Sequence, residues 1–121
     1  MAHNFRELKI WTRSIEYVVQ VYQLSKSFPK DEIYGLTNQL RRAATSIALN
    51  IAEGSGGSSN IEFIRFLEMA RRSAYEVITA LEIASRLKYC PEKDVKSLSQ
   101  EADEIAAMIS GLIKRLGSMS K

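Results

Sequence analysis

The stretch from residue 95 to residue 116 reads VKSLSQEADEIAAMISGLIKRL and repeats apolar side chains at alternating steps of three and four. The repeated positions are Val95, Leu98, Ala102, Ile105, Ile109, Leu112 and Leu116. Because an α-helix has about 3.6 residues per turn, this spacing places all of them on one face. A face of this length is typical of a helix that packs against others in a bundle.

Three segments upstream have similar helical periodicity and are separated by breaks. Pro29 disfavours helical geometry at the residue before it. Gly54 is expected to end the second helix in a left-handed cap, and Gly117 to mark the end of the fourth. Ser59 and Glu62 have the spacing of a capping box at the start of the third. We therefore predict one all-α domain over residues 1–121, an antiparallel up-down-up-down four-helix bundle with helices at about 5–26, 32–53, 60–88 and 91–116.

The first helix is predicted to have two apolar faces, roughly opposite each other at about 100° per residue. One face is enough for a helix of a monomeric bundle, so the second favours contact with another subunit. The residues leave open which face is the core, and we assign the second to an oligomer interface. The first face contains Leu8, Trp11, Ile15, Val18, Val19 and Tyr22, and the second contains Ile10, Tyr17, Val21 and Leu24.

The composition is that of a globular protein. The chain has 121 residues, 45% hydrophobic and 26% charged, which excludes wholesale disorder, collagen and membrane-spanning classes. A formal net charge of +3 permits contact with nucleic acid without requiring it. The single cysteine, Cys90, cannot form an intrachain disulfide, and the first residues lack the apolar run of a signal peptide. We therefore expect a cytoplasmic protein with no membrane partner.

The sequence lacks the residue patterns of common active sites. The only histidine is His3, and the Glu-x-x-His pairs of di-metal bundles do not occur. Cys90 has no histidine to activate it, and the glycine-rich run after the second helix lacks the Gly-Lys-Ser/Thr of a phosphate-binding loop. We therefore predict no catalytic residue, metal ion or cofactor, and a protein that is not an enzyme. An enzyme would need a buried carboxylate with a shifted pKa, for which Glu53 and Glu76 are the candidates.

A polar stripe runs beside the apolar face of the second helix. It consists of Gln39, Arg42, Ser46, Asn50 and Glu53. Small and amide side chains suit close helix packing with hydrogen bonds across it. One interpretation is that the stripe sets helix register or joins subunits, and the other is that Arg41, Arg42 and Asn50 contact RNA. The residues by themselves favour the first.

Several short runs around this helix resemble one bacterial family. They read FP at 28–29, YGLT at 34–37, QLRRAA at 39–44, SI at 46–47 and NIAEG at 50–54. These runs are similar to the four-helix-bundle family encoded in intervening sequences of 23S ribosomal RNA genes, sometimes labelled a ribosomal protein. The start of the first helix and parts of the third also resemble that family, so the likeness covers nearly the whole chain. One departure is Arg72, where the family often has glycine.

The resemblance implies an antiparallel four-helix bundle that assembles as a ring-like homopentamer. The family is also similar in fold to the accessory protein of diversity-generating retroelements, a basic pentamer that works with a reverse transcriptase and nucleic acid. No enzymatic activity is attributed to the family, and its physiological role is poorly defined. Further copies of the chain, nucleic acid and a nucleic-acid-processing protein are therefore the partners that the resemblance implies.

Two functions stay open. The first is a non-enzymatic homo-oligomer that binds RNA or another nucleic acid through basic residues of the two middle helices. The second is a protein-interaction scaffold for a polymerase, a reverse transcriptase or a ribosomal protein. In the first case phosphate contacts would supply most of the affinity, because Tyr34, Tyr75 and Tyr89 show no obvious base-stacking platform. The candidate nucleic-acid-binding residues are Arg41, Arg42, Arg65 and Arg72.

Overall fold

The computed structural model describes residues 4–119, which form four α-helices and two short 3₁₀ turns. The turns precede the first and second helices, at Phe5–Glu7 and Lys30–Glu32. The all-α prediction is confirmed, and His3 lies outside the described residues. The helices are α1, Lys9–Ser25; α2, Leu36–Ser55; α3, Asn60–Arg86; and α4, Glu92–Met119.

The contacts between α2 and α3 show that these two helices run in opposite directions. Ser73 Oγ and Ser46 Oγ share a 3.0 Å hydrogen bond, whereas Gly54, later in α2, packs against Phe63, earlier in α3. The contacts between α1 and α4 follow the same order. Each helix packs against two neighbours in the cycle α1, α2, α3, α4. The prediction of an antiparallel up-down-up-down bundle is confirmed.

The core lies between the four helices and is mainly aliphatic and aromatic. The apolar residues of the 95–116 stretch named above are all buried, as their periodicity predicts. Ser14, Ser25, Ser55 and Ser73 are also buried, and each donates a hydrogen bond to a backbone oxygen of its own helix. Within residues 4–119 no buried side-chain nitrogen or oxygen lacks a partner. The hydroxyls therefore enter the core without the penalty of an unpaired polar group.

The face of α1 expected at an oligomer interface is instead buried within the chain, so this prediction is wrong. Ile10, Tyr17 and Val21 lie between the helices, and Leu24 is half-buried against them. The Tyr17 hydroxyl donates a 2.8 Å hydrogen bond to the backbone oxygen of Leu98 in α4. The same face carries Ser14 and Ser25, which are buried with their hydroxyls bonded to the backbone of α1. Apolar spacing does not distinguish the two faces, because both are apolar.

The opposite face of α1 points outward. Ile15, Val19 and Tyr22 are 39%, 51% and 41% exposed, and Trp11 and Val18 are half-buried. A partly exposed apolar strip therefore exists on α1, on the side opposite to the predicted one. None of the helices within residues 4–119 combines the length and apolar content needed to cross a bilayer.

Helix ends differ from the predicted ones where glycine was expected to stop a helix. No glycine among residues 4–119 has a positive φ angle. Gly54 lies inside α2, where an added Cβ would come 2.6 Å from Cβ of Phe66. Gly54 therefore allows α3 to approach closely and does not form a left-handed cap. Helix α4 also continues past Gly117, where it was expected to end. At the other end of the chain, α1 begins at Lys9 because Leu8 is extended, with φ −78° and ψ 124°.

Two helices begin with a capping carboxylate or hydroxyl nearby. Ser59 Oγ accepts a 3.1 Å hydrogen bond from the backbone N–H of Glu62 at the start of α3, as the capping-box spacing predicts. At the start of α2, Glu32 Oε1 accepts a 3.0 Å hydrogen bond from the backbone N–H of Leu36. Side-chain acceptors of this kind satisfy N–H groups that have no partner inside the helix.

Candidate nucleic-acid interface

The exposed side of α2 lies between two grooves. The first, of about 810 Å³, separates α2 from α3, and the second, of about 660 Å³, lies toward the end of α1. Tyr34, Asn38, Arg42 and Ser46 line both grooves, so the two form one continuous surface. We call the residues that line either groove the α2 face.

The α2 face is positively charged. Arg42 lines both grooves, Arg41 lines the second and Arg72 lines the first. Among the described lining residues the one acidic side chain is Glu76, in the first groove. Three guanidinium groups therefore surround a surface with a single carboxylate, an arrangement that favours anionic partners.

Arg41 is held in place by residues of α1. Its Nε donates a 2.8 Å hydrogen bond to Ser25 Oγ, and its guanidinium carbon lies 4.6 Å from the centre of the Tyr22 ring. A cation–π contact of this kind adds about 0.5–1 kcal/mol at an exposed site. Its Nη2 lies 3.5 Å from the backbone oxygen of Tyr22. Because a guanidinium has five N–H groups, these contacts leave donors for a ligand.

The polar stripe of α2 makes contacts within the chain. Asn50 Nδ2 donates 2.9 Å hydrogen bonds to the backbone oxygen and to Oγ of Ser46. The same Oγ shares a 3.0 Å hydrogen bond with Ser73 Oγ of α3. These three side chains therefore hold the register of α2 against α3 inside one subunit. Gln39 and Glu53, nearer the ends of the stripe, are exposed.

Arg65 lies apart from the other three arginines. It lines a separate hollow at the far end of α2, together with Glu53, Glu62 and the Gly56–Gly57 connection. Arg65 precedes Arg72 by seven residues, which is about 10 Å along α3. Two carboxylates share its surroundings, so its positive field is weaker than that of the α2 face.

Three tyrosines also belong to the α2 face. Tyr34 and Tyr75 are 92% and 51% exposed and both line the first groove, while Tyr22 lines the second. No sequence spacing predicts that Tyr34 and Tyr75 lie near each other. Only the packing of α2 on α3 brings both side chains to one groove. Tyr89 lies elsewhere. The one local signal is that Tyr75 follows Arg72 by three residues, which places them as neighbours on a helix surface.

The ionisable groups with shifted pKa values do not line the α2 face. Hydrogen bonds from the Leu36 backbone N–H and from the Tyr89 hydroxyl lower the pKa of Glu32, and the same carboxylate raises the pKa of Tyr89. Burial raises the pKa of the Cys90 thiol, which disfavours the nucleophilic thiolate. In the part of the chain that the structure describes, His, Cys, Asp and Glu side chains form no cluster of three or more that could hold a metal ion.

Comparison with known proteins agrees with this architecture. The model of the 23S rRNA-intervening sequence protein family matches residues 6–111. Among solved structures, a protein of unknown function from the S23 ribosomal protein family of Bacteroides thetaiotaomicron VPI-5482 is similar, with 26% sequence identity and a TM-score of 0.78. The similarity covers 87% of this chain and 98% of that one. No curated protein matches the chain. Since the family model spans parts of all four helices, the chain belongs to the 23S rRNA-intervening sequence protein family.

Proposed function

We propose that this protein is a non-enzymatic homo-oligomer that binds RNA, or another nucleic acid, through the α2 face. The observation that carries the proposal is the grouping of Arg41, Arg42 and Arg72 around two joined grooves that contain a single carboxylate. Arginine presents a planar fork of N–H donors that matches phosphate. Phosphate contacts supply most of the sequence-independent affinity of proteins for nucleic acid.

Self-association would strengthen the field of this surface. One chain carries a formal charge of only +3. Five copies, the number that the family resemblance implies, would carry roughly +15, enough to attract a polyanion over a distance. The outward strip of α1 supports contact between copies, because Ile15 and Val19 expose apolar surface whose burial is favourable.

The surroundings of two carboxylates support a binding role rather than catalysis. Glu53 and Glu76 are both exposed, and Glu76 lines an open groove. A carboxylate that acts as an acid or base near neutral pH is typically held in a dry pocket. Both of these side chains are instead open to solvent.

The alternative is a scaffold for a polymerase, a reverse transcriptase or a ribosomal protein. The observation in its favour is apolar exposure beside the arginines, since Leu49 and Ile33 in the second groove are 63% and 47% exposed. Exposed apolar groups rimmed by polar ones are typical of protein contacts. Under this alternative a protein partner would stay bound after RNA is removed.

Binding measured as a function of salt tests the proposal. Purified, nuclease-treated protein is titrated against a fluorescent, structured fragment of ribosomal RNA, with anisotropy as the readout. We expect the logarithm of the binding constant to fall linearly with the logarithm of salt, at a slope set by the number of phosphates contacted. Replacing Arg41 and Arg42 with glutamine should weaken binding and reduce that slope by roughly two.

A matched control removes two positive charges elsewhere. Lys114 and Arg115 are exposed on α4 and lie outside the α2 face. Their replacement with glutamine changes the net charge by the same amount, so an equal loss of affinity would indicate a general charge effect and contradict a defined site. No binding even at low salt would end the proposal. A protein partner recovered from nuclease-treated extract would then favour the scaffold.

A further inference from the structure

We propose that the first groove of the α2 face binds a single-stranded nucleic acid, with bases stacked on Tyr34 and Tyr75 and phosphates held by Arg42 and Arg72. This inference rests on the proposed function and specifies its ligand, an unpaired strand with free base faces instead of a duplex. It follows from the juxtaposition of two exposed aromatic rings and two guanidinium groups in one groove.

The exposure of the two rings suits stacking. Tyr34 is 92% exposed and Tyr75 is 51% exposed, so both rings are accessible to a ligand in the groove. Such side chains gain little from packing within the chain. A base laid against each ring buries apolar area on both partners and is tolerant of sequence, because every base has a π face.

The packing of α2 on α3 separates the two tyrosines along the groove. The contact between Ser46 and Ser73 places Tyr75, two residues after Ser73, near the level of Ala44 on the antiparallel α2. Tyr34 precedes the start of α2, and the stretch from that start to Ala44 spans about 12 Å. Stacked nucleotides rise about 3.4 Å each, so the groove accommodates a run of about four bases. This matches the lower end of site sizes for single-strand grooves.

The charges in the groove indicate the path of the strand. Arg42 and Arg72 come from α2 and α3, so guanidinium groups stand on both walls. Glu76 follows Arg72 by one turn and repels phosphate, which directs the backbone toward the arginines. Base edges then lie nearer Glu76, whose carboxylate accepts hydrogen bonds from the amino group of cytosine. Asn38 and Gln39 add amide donors and acceptors to the same lining.

A partner helix of another protein fits this groove less well. Among the described lining residues, the aliphatic ones are Ala43, Ala80 and Ile83, and the rest are cationic, acidic, amide, hydroxyl or aromatic. A helix docked through its apolar face would leave most of those polar groups without partners. Aromatic rings interleaved with cationic groups are instead typical of grooves that follow a single strand.

Labelled strands of about 12 nucleotides, longer than the groove, test the inference by anisotropy with the full chain. The probes are a single RNA strand of A and C that cannot pair with itself, the same strand annealed to its complement, and an abasic strand that keeps every phosphate. A DNA strand of the same sequence distinguishes the two nucleic acids. We expect the single strand to bind about fivefold or more tightly than the duplex and the abasic strand.

Substitutions at the tyrosines separate stacking from charge. Tyr34→Leu and Tyr75→Leu keep an apolar side chain but remove the ring, and each should weaken single-strand binding about fivefold or more. Their binding to the duplex should not change. Tyr34→Phe and Tyr75→Phe keep the ring and are the matched controls, which should bind the single strand like the unmodified protein. Circular dichroism of each variant verifies that the helices are retained.

Each other outcome overturns the inference in a distinguishable way. Equal binding of all probes, with the leucine variants unchanged, would overturn stacking and leave the proposed nucleic-acid binding intact. No binding of any probe at low salt would overturn both. If the leucine variants change the assembly mass in light scattering, a second copy of the chain occupies the groove. If they lose a protein partner that survives nuclease treatment, a partner protein occupies it.

Discussion

The hydroxyl of Tyr89 donates a 2.7 Å hydrogen bond to Oε2 of Glu32 and so joins two connections at one end of the bundle. Glu32 lies between α1 and α2, and its other oxygen accepts a 3.0 Å hydrogen bond from the backbone N–H of Leu36, the first residue of α2. Tyr89 lies between α3 and α4, with its ring centre 5.6 Å from that of Phe28. The Glu32 carboxylate therefore caps α2 and links the α1–α2 connection to the α3–α4 connection.

Removing the Tyr89 hydroxyl should slightly lower the stability of the bundle without unfolding it. In Tyr89→Phe the ring keeps its contact with Phe28, while Glu32 loses one hydrogen-bond partner. We expect a small decrease in the midpoint of urea denaturation with an unchanged m-value, because the surface exposed on unfolding stays the same. Tyr75→Phe removes a hydroxyl from an exposed position and is the control. Equal midpoints for the two variants would show that the Tyr89 contact adds no stability.

The hydrogen bonds that Glu32 accepts predict that the free energy of unfolding depends on pH. Hydrogen bonds from the Leu36 backbone and from Tyr89 lower the pKa of Glu32 below its ordinary value of 4.5. A carboxyl whose pKa is lowered by folding stabilises the protein above its unfolded-state pKa, and this contribution is lost as pH falls through the folded-state pKa. The stability difference between the unmodified protein and Glu32→Gln should be constant from neutral pH to about 5 and shrink below that. Urea denaturation across this pH range measures it, and a difference independent of pH would contradict the role of ionised Glu32.

Gly54 should not tolerate a side chain. Gly54→Ala would place Cβ 2.6 Å from Cβ of Phe66, so α2 and α3 must move apart, at a cost of roughly 1–3 kcal/mol in the free energy of unfolding. Gly111→Ala is the matched control, since it is also helical but an added Cβ there meets nothing within 4 Å. Alanine at that position should stabilise the helix by about 0.5–1 kcal/mol. Chemical denaturation measures both variants, and a stabilised Gly54→Ala would contradict the close approach of the helices.

The two faces of α1 should respond differently to substitution. Val21 is fully buried, so Val21→Ala should lower the free energy of unfolding by about 2 kcal/mol. Val19 is 51% exposed, and Val19→Ala should change it by less than about 0.5 kcal/mol. Urea denaturation at a protein concentration low enough to dissociate any assembly measures both variants, because self-association makes stability depend on concentration. Comparable losses in the dissociated chain would contradict the burial of only one face of α1.

A charge on the outward strip of α1 should oppose self-association. Val19→Lys leaves the core of the chain untouched but places an ammonium group where apolar surface is expected to meet another copy. We expect the assembly to dissociate at higher concentrations than the unmodified protein does, as measured by sedimentation. Lys96→Glu, at an exposed position of α4, is a control for surface charge. An unchanged assembly in Val19→Lys would remove this strip from the contact between copies.

The candidate site could be predicted only in part. Arg41, Arg42 and Arg72 could be grouped from the sequence, because they lie on polar faces of helices expected to be neighbours. Arg65 belongs to the same helix as Arg72, yet it lies apart because the antiparallel packing carries it toward the far end of α2. Tyr34 could not be placed beside the groove at all, since it precedes α2 and its position depends on the packing of α3.

The sequence by itself determined that the chain is an all-α bundle, because the helical period is a local property of each segment and is visible in the apolar spacing. Tertiary structure decided which face of α1 is buried, since both faces are apolar and only the fit against α2 and α4 distinguishes them. It also decided that Gly54 is a point of close approach and that Tyr34 and Tyr75 share a groove. Those features depend on the register between helices, which is set by contacts such as Ser46 with Ser73 that join residues far apart along the chain.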